Sequence, residues 1–389
     1  MILQAGPACD KISLVSILGA VSLWMPRLKN KENRISRSFC GGGMENIMNI
    51  VVLAGGISTE RDVSFVSGMG IYKALRSKGH RAVLLDVFMG YDHDDWEGVF
   101  ESDTDWTAAI ESIKDSAPDL DRVKAMRPGW EKSFFGPHVL DICRAADMVF
   151  LALHGANGED GKIQACFELF GIRYTGTDYV SSAICMDKGI TKDLFVAGGV
   201  PTPAGIRFKK GGEPENKVPY PCIVKACCGG SSVGVVIARN DQEYAAALKE
   251  AFRYDNEVVV EQYITGREFA ISVIDGKAYP IIEIAPKSGF YDYKSKYQPG
   301  AAVETCPADL PKDKAEEIAR AAEKAFQVLR LKNYARFDFM LDAQGDFYFL
   351  EANTLPGMTA TSLMPQEAQA AGMNYADLCQ YIVDITMRQ

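Results

Sequence analysis

Residues 334–353 read YARFDFMLDAQGDFYFLEAN. The β-branched and aromatic content predicts two long strands, 334–341 and 346–351. Side chains two apart share a face of a strand, so Arg336 lies beside Asp338, and Glu351 beside Asn353. Their neighbours Phe337, Phe339, Met340, Phe347, Phe349 and Leu350 are apolar. Two carboxylates and a carboxamide on one buried face repel one another unless a hard cation lies between them. All-oxygen ligands without His or Cys select magnesium or manganese, commonly shared with nucleotide phosphates. The competing reading is a structural Arg336–Asp338 pair next to a surface Glu351.

The flanking segments extend the pattern. Immediately downstream, Leu355-Pro356-Gly357-Met358-Thr359 runs on to Ser362-Leu363-Met364-Pro365, and Gly357 can bring a backbone N–H close to a ligand. A plain loop and helix cap would read the same way. Upstream, Ile223-Val224-Lys225 ends in a cation and is followed by Cys227-Cys228-Gly229-Gly230-Ser231-Ser232-Val233-Gly234. A strand ending in lysine before a Gly/Ser hairpin offers N–H groups and positive charge to phosphate oxygens, although an ordinary hairpin tip has this composition too. No GxxxxGK[ST] motif is present. Between these segments, Glu261-Gln262-Tyr263-Ile264 with Glu268 could offer backbone groups to an adenine and a carboxylate to ribose hydroxyls, or be solvated acids at a strand end.

Earlier in the chain strand and helix alternate. Asn49–Ala54 is a short β-branched run, Thr59 and Asp62 fit a capping box, and 63–78 has helical spacing. Strands at 81–86 and 148–153 and helices at 139–146 and 161–170 complete a parallel, doubly wound first domain. Its active edge belongs at the carboxyl ends of the strands, where Glu60 and His154 fall. The segment from Asp92 to Asp105 carries seven acids and reads as a solvated surface insertion. After Ser181 a helix to about 197 leads into strands at 204–208, 222–225, 233–238 and 258–263, with a helix at 241–253. A hairpin turning at Asp275-Gly276 lies within 268–283, and a helix at 312–329 follows. Residues 285–306, rich in Gly and Tyr, show no regular period.

The chain has 389 residues, 47% of them hydrophobic and 24% charged, and a net charge of −9. It is globular and long enough for two or three domains. Its acidity argues against a sequence-independent nucleic-acid binder. Ten cysteines without a CxxC pair, and only four histidines, argue against a disulfide framework or zinc site and for a reducing cytoplasm. Residues 1–47 stand apart at net +3, leaving −12 for the rest. Their uncharged run 12–26 is short for a membrane span and poorly formed for a signal peptide. This stretch reads as an extension, disordered or not native, ahead of a fold that begins near Met48.

Seven segments resemble the D-alanine–D-alanine ligase family of the ATP-grasp superfamily: LAGGISTERDVS (53–64), LALHGANGEDG (151–161), YTGTDYVSSAICMDK (174–188), GGSSVGV (229–235), SGFYDYKSKY (288–297), RFDFML (336–341) and LEANTLPGMTATSLMP (350–365). The resemblance covers essentially everything after residue 47. It implies a first α/β domain over 48–176 and a two-part ATP-grasp fold. That fold's central part spans 177–261 and its C-terminal part 262–389, with a catalytic lid at 285–306. It implies that Lys188 and Lys225 bind ATP phosphates under a loop carrying Ser231 and Ser232. Glu261 and Ile264 would hold adenine, and Glu268 the ribose. Asp338, Glu351 and Asn353 would bind two magnesium ions, replaceable by manganese, with Glu351 bridging. Glu60 would hold the ammonium of a first D-alanine, with His154 nearby. Arg336, Gly357, Ser362 and Leu363 would orient the second, and Tyr297 would link to Ser231 and Glu60 to close the site. The implied partners are D-alanine and a second copy of the chain, with no nucleic acid and no membrane. D-Alanine–D-serine or D-alanine–D-lactate ligation and a catalytically silent nucleotide binder are the rivals. Ala226, Cys227 and Cys228 depart from the family's usual residues, and 91–136 is longer than in compact members.

Overall fold

A computed structural model of the protein describes residues 47–108, 118–212, 218–230, 234–287 and 302–389. Strands β1 (Asn49–Ala54), β2 (Arg81–Asp86) and β3 (Met148–Leu151) form a parallel sheet in the order β2-β1-β3. Ile50, Val51, Val52 and Leu53 are fully buried, because helices cover both faces of such a sheet. Helix α1 (Arg61–Ser77) returns the chain from β1 to β2. Its start differs from the capping-box expectation: Glu60, not Thr59, is the N-cap residue, and no side chain caps the helix. The Glu60 carboxylate faces a cleft instead, and Ser58 Oγ accepts from the Glu60 N–H at 3.3 Å.

The acidic insertion is better anchored than its charge predicts. Val99 and Phe100 are buried, and Trp96 stacks on His138 with ring centroids 5.7 Å apart. Helices α2 (Leu120–Ala125), α3 (Val139–Ala145) and α4 (Lys162–Phe170) complete this region. The helix expected to run to about 197 is two helices, α5 (Tyr179–Met186) and α6 (Lys188–Gly198). They divide at Asp187, which caps α6 by accepting from the Ile190 N–H at 2.9 Å.

Two antiparallel sheets follow. Strands β4 (Gly205–Lys209), β5 (Cys222–Ala226), β6 (Val235–Ala238) and β7 (Glu257–Gln262) lie in the order β4-β7-β5-β6 under helix α7 (Asp241–Ala251). The second sheet, ordered β11-β10-β8-β12-β13, contains β8 (Gly266–Ile274), β10 (Ile282–Pro286), β11 (Ala302–Thr305), β12 (Tyr334–Asp342) and β13 (Phe347–Asn353). The short β9 (Lys277–Ala278) pairs with β8. Asp275 and Gly276 both take positive φ, 52° and 74°, as a two-residue hairpin turn between right-twisted strands requires. Helix α6 and helix α8 (Lys312–Val328) share one core with Phe269, Phe337, Phe339 and Phe349. Helix α9 (Leu363–Ala370) packs on the other face, where Glu367 Oε2 accepts from the Ser272 N–H at 2.9 Å. The last helix, α10 (Tyr375–Met387), returns to the first sheet: Leu378, Ile382 and Val383 share a core with Ile50–Leu53.

Strands β12 and β13 pair Asp338 with Glu351 but Phe339 with Phe349, so Leu350 is an extra, bulged residue. The bulge shifts the alternation. Phe347, Phe349 and Ala352 enter the helix-covered core, while Glu351 and Asn353 turn to the opposite, cleft side. Phe349 is wholly buried among Phe195, Phe337, Phe339 and Phe347. Phe349→Ala should therefore cost about 3–5 kcal/mol, read as a lower urea midpoint in equilibrium unfolding; a loss under about 1 kcal/mol would remove this packing from the account.

Candidate active site

Two clefts open where these sheets meet. The larger, of about 360 Å³, lies between the two antiparallel sheets and is lined by Lys225, Glu261, Ile264, Glu268 and Asp338. The smaller, of about 170 Å³, lies against the first domain and is lined by Glu60, His154, Arg336, Asn353, Gly357, Ser362 and Leu363. Lys188, Gly229, Gly230 and Glu351 line both. Every site residue expected from sequence that lies among the described residues thus borders one cleft or the other. Ser231, Ser232 and Tyr297 lie outside the described residues.

The larger cleft is built around a buried charge cluster. Glu261, only 2% exposed, lies one residue before the end of β7 with both carboxylate oxygens committed to cations: Oε1 to Lys225 and Oε2 to Lys192 at 2.8 Å. Burial opposes the Glu261 charge, but the two ammonium groups win and hold its carboxyl below the usual carboxylate range. Lys225 thus meets the cleft in a fixed position rather than as a free tether. Lys192 was not found by sequence reasoning. It lies one helical turn after Lys188 on α6, buried against Thr202 Oγ1 at 3.1 Å, and burial pushes its pKa down. Set between Thr191 and Asp193 in the helix, it gave no local signal.

At the shared wall, Lys188 Nζ donates to the Gly229 carbonyl at 2.6 Å and lies 3.4 Å from Glu351 Oε2. Arg336 forks onto Asp338, with Nε–Oδ1 at 2.7 Å and Nη2–Oδ2 at 2.9 Å. Asn353 Nδ2 donates to the same Asp338 Oδ2 at 3.1 Å. The Arg336–Asp338 pair of the competing sequence reading forms, and Glu351 and Asn353 lie at the same strand edge. Among the described residues no group of three His, Cys, Asp or Glu gathers as a metal cluster. The donor set is two carboxylates and one carboxamide, the oxygen chemistry that suits magnesium or manganese.

The smaller cleft begins at the carboxyl ends of β1 and β3. Glu60 and His154 are both buried there. Gly155 has φ of +69°, and a Cβ on it would come within 2.8 Å of Glu60 Oε2. A Cβ on Gly357 would meet Ser362 Oγ at 2.9 Å, so a side chain there would have to displace Ser362. Burial pushes the His154 pKa down, favouring a neutral ring. Glu159, quoted within the LALHGANGEDG segment but not singled out, is a second miss. It accepts from the Gly155 N–H at 2.7 Å and the Leu355 N–H at 3.2 Å. Burial, reinforced by the Glu60 charge, pushes its carboxyl up to about 8.

Two antiparallel sheets thus enclose a lysine-lined cleft beside an acidic strand edge, the arrangement of an ATP-grasp fold. The D-ala D-ala ligase N-terminus model matches residues 49–177, and the D-ala D-ala ligase C-terminus model matches 205–384. The D-alanine--D-alanine ligase of Pediococcus pentosaceus is 44% identical over 342 residues, covering 86% of this chain and 97% of that one. Among solved structures, D-alanine--D-alanine ligase from Bacillus anthracis complexed with ATP aligns with TM-score 0.65 at 32% identity, over 88% of this chain and 98% of that one. The VanG D-Ala:D-Ser ligase from Enterococcus faecalis aligns with TM-score 0.68 at 27% identity, over 87% and 99%. The chain belongs to the D-alanine–D-alanine ligase family.

Because the folded state holds Glu159 protonated well above the ordinary Glu value of 4.5, its contribution to stability is complete below pH 4.5 and is lost as pH rises toward 8. Glu159→Gln cannot ionise, so the stability of wild type relative to this variant should fall between pH 5 and pH 8.5, in urea melts read at both ends. A pH-independent difference would remove the raised carboxyl from the account.

Proposed function

We propose that the protein joins two D-alanine molecules into D-alanyl-D-alanine for peptidoglycan precursors, converting ATP to ADP and phosphate through a D-alanyl phosphate. The observation that carries this reading is that the two clefts share Lys188, Gly229, Gly230 and Glu351 as a common wall. A nucleotide in one cleft and an amino acid in the other would meet there, which is where a phosphoryl group has to change hands. Family membership and the ATP-bound relative support the same reaction.

Each side chain then has a task. Lys188 and Lys225 neutralise the phosphates, and Ser231 and Ser232, outside the described residues, are assigned to the same phosphates. Ile264 and Glu261 hold the adenine, Glu261 while also orienting Lys225, and Glu268 holds the ribose. Asp338, Glu351 and Asn353 would hold two magnesium ions, or manganese. Bound there, the metal would supply positive charge to the transferring phosphoryl oxygens. Glu60 pairs with the ammonium of the first D-alanine, beside a neutral His154. The amine of the second D-alanine attacks the acyl phosphate. Arg336 and the Gly357 N–H stabilise the resulting oxyanion, while Ser362 and Leu363 orient the acceptor. An acyl phosphate is lost to hydrolysis if water enters, which is the reason for assigning Tyr297 and segment 285–306 a closing role.

The chain acts in the cytoplasm in this reading. Among the described residues no helix is long and apolar enough to cross a membrane. It also acts as a homodimer through the first domain, where Leu169 and Phe170 leave an apolar end of α4 exposed to solvent. The division into domains at 48–176, 177–261 and 262–389 belongs to the same reading.

The test is ADP release with ATP and magnesium, offering D-alanine alone and then with D-serine or D-lactate, with products resolved by mass. D-Alanyl-D-alanine from D-alanine alone is the expected result. A mixed product only would overturn the acceptor assignment, and no ADP release would overturn the enzyme reading. Glu351→Gln should abolish turnover with the fold intact by circular dichroism; near-normal turnover at any magnesium level would sink the metal assignment.

A further inference from the structure

The loop after β13 carries Gly357 at the smaller cleft, yet it belongs to no strand or helix, and its backbone groups are held by side chains from three other parts of the fold. The Leu355 N–H donates to Glu159, and the Leu355 carbonyl accepts from His154 Nδ1 at 3.0 Å. Three residues on, the Met358 N–H donates to Ser67 Oγ at 3.4 Å, and the Met358 carbonyl accepts from the Tyr375 hydroxyl. Ser67 Oγ also lies 3.2 Å from His154 Nε2. Ser67, on α1, is wholly buried and borders neither cleft.

Donor and acceptor chemistry orders these contacts in one way. A carbonyl only accepts, so His154 Nδ1 carries the proton toward Leu355. The Nε2 of a neutral ring is then an acceptor, and the Ser67 hydroxyl donates to it. That leaves a Ser67 lone pair for the Met358 N–H. The chain runs from Met358 N–H to Ser67 to His154 to the Leu355 carbonyl, starting and ending on the residues that flank Pro356-Gly357. The Gly357 N–H is therefore pinned from both sides.

We infer that Ser67 is a positioning residue for the acceptor subsite, holding His154 and Met358 so that the Gly357 N–H stays aimed at the reacting centre. Tyr375 secures the same loop from α10. The inference rests on the ligase reading above, because an acceptor subsite is what the loop would build. Loss of aim acts on the second D-alanine and on the fate of the acyl phosphate. It leaves ATP untouched, since neither Ser67 nor Tyr375 borders the larger cleft.

The experiment compares Ser67→Ala and Tyr375→Phe with wild type, measuring KM for ATP, KM for D-alanine at each site from the concentration dependence, and ADP released per dipeptide formed. In Ser67→Ala the acceptor KM should rise about tenfold, the scale of one neutral hydrogen bond. The ATP KM should stay within about twofold, and ADP per dipeptide should exceed one as acyl phosphate leaks to water. Tyr375→Phe should change the same quantities in the same direction. It leaves α1 intact, and so reads the clamp even where Ser67→Ala does not fold. A uniform loss of kcat with every KM unchanged, or unaltered coupling in both variants, would overturn the inference alone. Absence of dipeptide from the wild type would overturn the functional reading and the inference with it.

Discussion

Strand register places Asp338 directly opposite Glu351, like charge facing like charge across two paired strands. Such a pair is destabilising unless something compensates it, and here the compensation organises the surroundings. Arg336, on the same face two residues earlier, forks onto Asp338, and Lys188 reaches Glu351 from the first turn of α6. Lys188 can do so because the helix is broken at Asp187, which starts α6 anew at the cleft. The bulge at Leu350 is equally necessary. Without it, strict alternation would send Glu351 to the same side as Phe347 and Phe349, into an apolar core where its charge could not persist.

The same logic runs through the larger cleft. Glu261 is buried between Lys192 and Lys225, a triad in which each charge is tolerable only because of the others. Of the two cations that hold this anion, Lys225 lines the cleft and Lys192 lies behind it. In the phosphate-binding role proposed for it, Lys225 would need little reorganisation, since its carboxylate partner already holds it. Stability and readiness for a ligand come from one set of contacts.

Much of this was legible in the sequence because it is local. The alternating strands and helices of the first domain, the Asp275-Gly276 hairpin and the two-apart pairing of Arg336 with Asp338 follow from periodicity and turn chemistry. What escaped depends on contacts between distant segments. Lys192 becomes a site residue only because Glu261, far along the chain, folds against it. Glu159 acquires its raised pKa from burial and from the Glu60 charge that the fold sets beside it. The Thr59 capping box was sound local chemistry that lost to a tertiary demand, the turning of Glu60 toward the cleft. The insertion at 92–105 was judged by its acids, whereas Val99 and Phe100 decide how it packs.

The cores explain why the two clefts can serve different ends. Leu355, Met358 and Met364 belong to the same buried cluster as β1, β3 and α10, so the loop carrying Gly357 shares a packed body with Glu60 and His154. The sheet bearing Lys225 and Glu261 rests on a separate core of Val224, Val260, Tyr244 and Leu248. Close-packed cores transmit displacement rather than absorb it, so residues rooted in one core keep their spacing when another shifts. A shift of the β4–β7 sheet would therefore leave the spacing of Glu60 and Gly357 unchanged. Under the proposed reaction that separation suits the chemistry: one core sets the residues that align amine with carbonyl, while Lys225 and Glu261 are rooted in another.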